Sequence, residues 1–408
     1  MYTKGYELKD KQFWIVVMSL GLASMFTFAA FYSFQPLLPV LTKSYDISVS
    51  YSSMSMSITT VSLIIGLIVL GFLSDRNGRV LFIKLSIFLS ILPFIIIPFM
   101  DSYFIIVVLR FIQGFTLAGV PAAALAYIGE EIDAKSSSLA TALYISTNAL
   151  GGMIGRIVAG FVAERYNWQL SLSLIVIFGI IVLIIVLITL PKSKNFISRN
   201  RSFKEDLIGF SYHLRNPALL LMFGLGIVLQ VTFTGTWTYL PFHLSSPPFS
   251  LSLETISYIY FAYAFGILGA PIASWLSNRF TLEKIRVVAI LILIIGVACT
   301  LHASLLVVLI GLCILCFGFF TAHSLTAASV SRTATHLKGS ASSLYLVAYY
   351  IGVASGSTLI GPLWDLWKWQ GIIYFTLALP IIYLVFLQFS LKLIQNKHAN
   401  LAYRNTSE

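Results

Sequence analysis

Two arginines, Arg110 and Arg156, lie deep inside apolar stretches of this chain, whereas every other Lys and Arg falls in a turn, a tail or the end of a stretch. A guanidinium at the centre of a bilayer costs about 2.5–3.5 kcal/mol on insertion scales, so each must face water, a solute or an internal partner rather than lipid. Arginine binds carboxylate and phosphate bidentately, and two such residues in one half of the chain point to a ligand carrying one of these groups. The competing reading is structural: Arg110 bonding carbonyls of neighbouring helices, Arg156 locking helices together. All fifteen acidic residues fall in turns, tails or the ends of apolar stretches, among them Asp75, Glu130, Glu131 and Asp133 at one face and Asp46, Asp101, Glu164, Glu254 and Asp365 at the other. No carboxylate is placed mid-span to carry a proton. His323 is the one group inside a span that titrates near neutral pH; its alternative role is a helix-to-helix hydrogen bond. Gln230, Tyr32, Trp237, Tyr345 and Tyr349 are further candidates for lining a polar cavity, with packing or lipid contact as the alternative for each aromatic. Cys313 and Cys316 form a C-x-x-C without a second pair or a histidine at ligand spacing, and read as small packing residues; no metal site and no cofactor is expected.

The elements that position these residues are apolar helices. The chain is 58% hydrophobic and 10% charged over 408 residues, with a mean hydropathy of +0.91, which excludes an ordinary soluble globule. A spanning helix needs about 20 mainly apolar residues. Such stretches lie at 13–37, 50–73, 80–99, 102–128, 139–162, 169–190, 216–241, 253–277, 285–303, 304–329, 340–363 and 370–393, and runs without polar alternation read as helices rather than barrel strands. The fold class is therefore all-α integral membrane. The first apolar run is too long for the core of a cleavable signal peptide and lacks a small-residue cleavage site.

The net charge of +11 reports topology. With the amino terminus in the cytoplasm, 21 of the 26 Lys and Arg residues fall on the inner side, three (Lys43, Arg165, Lys368) on the outer, and two within spans. The positive-inside rule then puts both ends in the cytoplasm and requires an even number of crossings. Basicity distributed this way is no nucleic-acid footprint. The longest polar segment, Pro191 to Pro217, separates two halves that repeat each other. At an offset of 201, Ala140, Leu143, Tyr144, Gly155, Gly160, Trp168 and Gln169 recur as Ala341, Leu344, Tyr345, Gly356, Gly361, Trp369 and Gln370. The chain divides into an N-terminal six-helix bundle (1–190), a cytoplasmic linker (191–215), a C-terminal six-helix bundle (216–393) and a cytoplasmic tail (394–408).

Between the second and third spans lies the charged turn Gly71-Phe72-Leu73-Ser74-Asp75-Arg76-Asn77-Gly78-Arg79. Gly71 permits close backbone packing and Gly78 a tight reversal, while Asp75, Arg76 and Arg79 set acid beside base where a helix leaves the bilayer. In this position the turn resembles the signature loop of the major facilitator superfamily of transporters, although Val80 stands where the family prefers another base. Gln35-Pro36-Leu37-Leu38-Pro39, Glu130-Glu131-Ile132, Gly151-Gly152-Met153-Ile154-Gly155-Arg156, Asn167-Trp168 and Gly318-Phe319-Phe320-Thr321-Ala322-His323-Ser324 narrow the likeness to the bacterial YnfM-type branch, often labelled arabinose-efflux-like permeases.

The resemblance implies twelve helices in two pseudo-symmetric bundles with a cavity between the halves. It also implies a coupling or binding role for Arg110 with Gln113 and Gly114. A cytoplasmic gate follows from it too, in which Asp75 caps a second-half helix and Arg79 pairs with Glu130 or Glu131. In the second half Asn278 replaces the gate acid. Gly151, Gly155 and Gly160 keep the spacing of a packing motif of drug/proton antiporters, but Arg156 stands for its proline and Ala159 for a glycine, which argues against generic multidrug antiport; Gly352, Gly356 and Gly361 are the packing glycines of the second half.

These observations imply a secondary transporter of a bacterial inner membrane that exports a small organic solute, for which the buried arginines suit an anion, by alternating access. By analogy protons drive it, since no Walker-type loop is present for ATP. Lipid is its surroundings and a monomer its expected state. The rivals are an importer of a small organic anion or sugar, and a membrane enzyme acting on lipids; the latter needs clustered acids, metal ligands or a His/Asp pair at one face, and the sequence offers none.

Overall fold

The computed structural model describes residues 5–198, 210–277, 279–334, 336 and 338–406, and their side chains except at 270, 274, 338, 339 and 391–406. Residues 199–209 of the predicted linker and Asn278 lie outside the described residues.

A chain in hydrocarbon must satisfy its own N–H and C=O groups, and a helix does so within one segment. The apolar stretches accordingly form α1 (Lys11–Tyr45), α2 (Val49–Asn77), α3 (Arg79–Phe99), α4 (Tyr103–Glu131), α5 (Ala134–Arg165), α6 (Trp168–Thr189) and α7 (Pro217–Leu244). They continue as α8 over 253–276, α9 (Leu282–Cys299), α10 (Leu305–Thr333), α11 (Lys338–Ala354, widening into a π turn at Ser355–Leu359) and α12 (Gly361–Thr406, kinked at Lys368). Among the described residues ten helices are long and apolar enough to cross a membrane. The two outside that set are α9, whose first turns carry Glu283, Lys284 and Arg286, and α11, which has 17 residues before the π turn. Side-chain oxygens start the helices where the sequence changes from polar to apolar: Ser48 accepts from Tyr51 N, Asn167 from Leu170 N and Ser252 from Thr255 N.

Lipid-facing and internal surfaces invert the pattern of a soluble helix. On α6 the exposed residues include Leu170, Leu174, Ile177, Ile181, Ile184 and Ile188, spaced along one helical stripe. On α2 the buried face is Ser52, Ser55, Thr59 and Ser62. Each of these hydroxyls donates to a carbonyl of its own helix, at 2.7–3.0 Å, so a small polar face packs without an unsatisfied group.

Packing divides the chain into two compact units: unit 1 is Met1–Arg201 with Leu240–Phe261 and Ser357–Asp365, and unit 2 is Ser202–Tyr239 with Ala262–Gly356 and Leu366–Glu408. Glycines set the closest helix pairs within each. In unit 1 a Cβ at Gly151 would lie 2.7 Å from Met25 Cα, and one at Gly155 would lie 2.5 Å from Ala29 Cα, so α5 and α1 meet backbone to backbone. In unit 2 a Cβ at Gly352 would lie 2.6 Å from the Ile227 carbonyl, and one at Gly356 would lie 2.8 Å from that of Val231, which joins α11 to α7 the same way. The sequence repeat thus marks one helix contact made twice. Gly71 differs: its Cβ would meet only Ala122 Cβ at 3.9 Å, an ordinary contact.

Candidate functional site

The turn between α2 and α3 builds a closed charge cluster. Gly78, at φ 101°, ends α2 with its N–H on the Ser74 carbonyl at 3.1 Å, a backbone that a side chain disfavours. Arg79 therefore begins α3 folded back on α2. Its guanidinium is 2% exposed and donates to Ser74 Oγ at 3.0 Å, to Asp75, and through Nε and Nη2 to Glu130 Oε1 at 3.2 and 3.0 Å. Arg76 instead lies over the Phe72 ring, 4.2 Å from its centroid. Glu131, equally at the end of α4, turns away from Arg79. Its Oε1 accepts the backbone N–H groups of Lys194 and Asn195 at 2.7 and 2.8 Å, holding the start of the linker. Residues one apart on a helix point about 100° apart, which is why only one acid reaches the arginine.

The two arginines of the spans are both buried in unit 1 but held differently. Arg110 is fully enclosed: it donates to the Ala30 and Phe31 carbonyls at 3.3 and 2.9 Å and to Gln113, and lies 4.3 Å over the Phe34 ring. Gln113 passes the contact on to the Ser90 carbonyl at 3.1 Å. The carbonyls in question precede the break of α1 at Ser33, three residues before Pro36, and Arg110 braces that break. Arg156 sits among neutral groups: Nε on Gln35 Oε1 at 2.6 Å, Nη1 on the Gly152 carbonyl at 2.7 Å, the Tyr32 ring at 3.8 Å and the Tyr260 ring at 5.5 Å. These contacts fix the plane and direction of the guanidinium.

Unit 2 brings the aromatic candidates together. His323 Nδ1 and Tyr345 Oη share a hydrogen bond of 2.8 Å, and the half-buried imidazole stacks on Phe319 at 5.8 Å and meets Tyr349 at 4.8 Å. Phe319 continues onto Phe233 at 3.9 Å, which packs against buried Trp237. Gln230 is 2% exposed and accepts from Thr234 Oγ1 at 2.9 Å, apart from this stack. At the end of unit 1 opposite the charged turn, Arg165 makes two bonds to Glu254 at 2.9 and 3.0 Å, and Glu164 accepts from Leu253 N at 3.1 Å.

Sequence reading missed Gln35 and Tyr260 as neighbours of Arg156, and counted Arg286 with the inner-side bases rather than within a span. Arg286 is in fact the fifth residue of α9 and 4% exposed. The signal was present: Thr281 caps the helix through Lys284 N, and 286, 289, 290, 293 and 297 fall on one buried face. Trp168, Trp364 and Trp369 are buried, whereas Trp367 is exposed. Among the described residues no three His, Cys, Asp or Glu side chains gather as a metal site, and Cys313 and Cys316 are free thiols.

The sequence profile of the Major Facilitator Superfamily matches residues 20–357. The inner membrane transport protein YnfM of Escherichia coli (strain K12) is 32% identical over 374 residues, 92% of this chain and 90% of its own. The MFS-type transporter YybF of Bacillus subtilis (strain 168) is 34% identical over 358 residues, 88% of this chain and 89% of its own. Among solved structures, a D-xylose–proton symporter superposes with a TM-score of 0.73 at 14% identity, covering 92% of this chain and 97% of that one, a likeness of fold.

Proposed function

The chain belongs to the major facilitator superfamily and is a multi-pass membrane transporter, and from that premise we propose that it exports a small organic solute across a bacterial inner membrane at the expense of a proton gradient. The two sequence halves, 1–190 and 216–393, alternate access to the solute, with both chain ends and the charged turn on the cytoplasmic side. The Lys and Arg distribution supports that orientation.

The observation that carries the reading is the Arg79 cluster. A guanidinium 2% exposed, held by Asp75 and Glu130 at the turn between α2 and α3, is an assembly that is stable when dehydrated and costly to open halfway, as a two-position gate requires. Asp75 is the residue that caps a second-half helix when the gate closes. Arg156 and Tyr32 in unit 1, and His323 with Tyr345 and Tyr349 in unit 2, are the groups that meet solute. His323 exchanges the coupling proton, with Tyr345 Oη as its hydrogen-bond partner. The named D-xylose–proton symporter lends proton coupling support by family kinship.

Comparison of intracellular and extracellular metabolites between a deletion strain and its parent tests export. A solute retained inside the deletion strain and depleted from its medium is the expected result. An unchanged metabolite profile on both sides overturns the proposal, and the inverse pattern makes the chain an importer.

A further inference from the structure

Arg286 on α9 is a buried cation to which the transport steps above assign no role. It is 4% exposed, yet its one hydrogen-bond partner among the described residues is the neutral Ser329 of α10, which accepts from Nη1 at 2.8 Å. Its Nε is buried without a partner. Glu283, one turn earlier and half-buried, acts on it at longer range and forms no ion pair with it. The arginines buried in unit 1 have more of their charge answered or their donors spread: Arg79 by two carboxylates, Arg110 by two carbonyls, Gln113 and an aromatic face, though its Nε too lacks a partner, and Arg156 by Gln35, a carbonyl and two tyrosine rings.

The pattern of what is used and what is left has a chemical meaning. Serine takes Nη1, at the head of the guanidinium. The edge formed by Nε and Nη2 is left, and that edge presents two parallel N–H bonds at the spacing of the two oxygens of a carboxylate. A buried cation with one neutral partner is poorly stable by itself and gains most from an anion that fills that edge. Tyr345 interacts electrostatically with Arg286, and Tyr345 Oη is the hydrogen-bond partner of His323. Ser329, Arg286, Tyr345 and His323 therefore form a series from α10 through α9 to α11 and back to α10, all within unit 2.

We propose that the Nε/Nη2 edge of Arg286 binds the carboxylate of the transported solute, so that the solute class is organic carboxylates. The inference rests on the transporter reading above. Ser329 is a positioning residue: it fixes Nη1 and thereby aims the free edge.

The test loads proteoliposomes containing the purified full-length chain with the metabolite extract of the host cell and follows, by mass spectrometry, which solutes leave under an imposed pH gradient. The expected result is that the departing solutes carry a carboxylate, that Arg286→Gln lowers their flux at least tenfold, and that Arg286→Lys keeps part of it. Ser329→Ala should raise the half-saturating concentration severalfold at an unchanged maximal rate, a split that loss of fold does not produce. Arg286→Gln should also melt and elute from a sizing column like the parent chain. Departing solutes that lack a carboxylate, or an Arg286→Gln variant with parental flux, overturn the inference while leaving the transporter reading intact. If no solute leaves with the parent chain, the transporter reading itself fails. If the variant differs from the parent only in vesicles containing phosphatidylglycerol and matches it in phosphatidylcholine, the edge takes a lipid phosphate and the carboxylate inference is overturned.

Discussion

Arg79 and Arg286 stand in the first turns of α3 and α9, each buried and each bonded to the helix that follows, α4 or α10. The partners differ. Arg79 meets Ser74, Asp75 and Glu130, so two carboxylates neutralise it; among the described residues Arg286 hydrogen-bonds only to the neutral Ser329. The first arrangement supplies its own counter-charge and has no call for an anion. The second is incomplete, and an incomplete buried cation is a binding site in waiting rather than a brace.

Substituting methionine for each arginine turns the comparison into a ranked series, because methionine keeps the stem and removes the charge. Arg79→Met leaves Asp75 and Glu130 facing each other at a dehydrated helix end, and the loss should be about 3 kcal/mol, read by urea or thermal unfolding in detergent. Arg110→Met strands the Ala30 and Phe31 carbonyls and Gln113 and should cost about 2 kcal/mol by the same measurement. Arg165→Met removes a pair whose arginine side chain is 55% exposed; its melting temperature should match that of the parent chain. Arg286→Met should be neutral or slightly stabilising, since it trades an unanswered charge for apolar volume. A large destabilisation there, equal to that of Arg79→Met, would break the comparison by showing that Arg286 is structural.

The spans, their order and the charged turn were legible because each rests on composition over many residues or on a backbone requirement such as that of Gly78. The helix contacts were legible through glycines spaced as in Gly151 and Gly155, since small residues are what close packing demands. The partner of Arg79 was not, because Glu130 and Glu131 are adjacent and only the rotation of α4 separates them. The site of Arg286 was hidden for a different reason. It sits beside Glu283 and Lys284, and a charged run reads as a loop unless the Thr281 cap is recognised as the start of the helix. Burial of Trp168, Trp364 and Trp369 was likewise set by neighbours far away in sequence, such as the Thr300 carbonyl that accepts from Trp369 Nε1 at 3.0 Å.

Energy coupling is the claim on which the rest depends, and simultaneous recording of solute and proton movement tests it most directly. In proteoliposomes holding the purified chain, the host metabolite extract and a trapped pH dye, solute should leave against its own concentration only while a pH gradient stands. The lumenal pH should shift in step, and a protonophore should abolish both. Solute release that proceeds equally with and without the gradient, with no change in lumenal pH, would contradict the account.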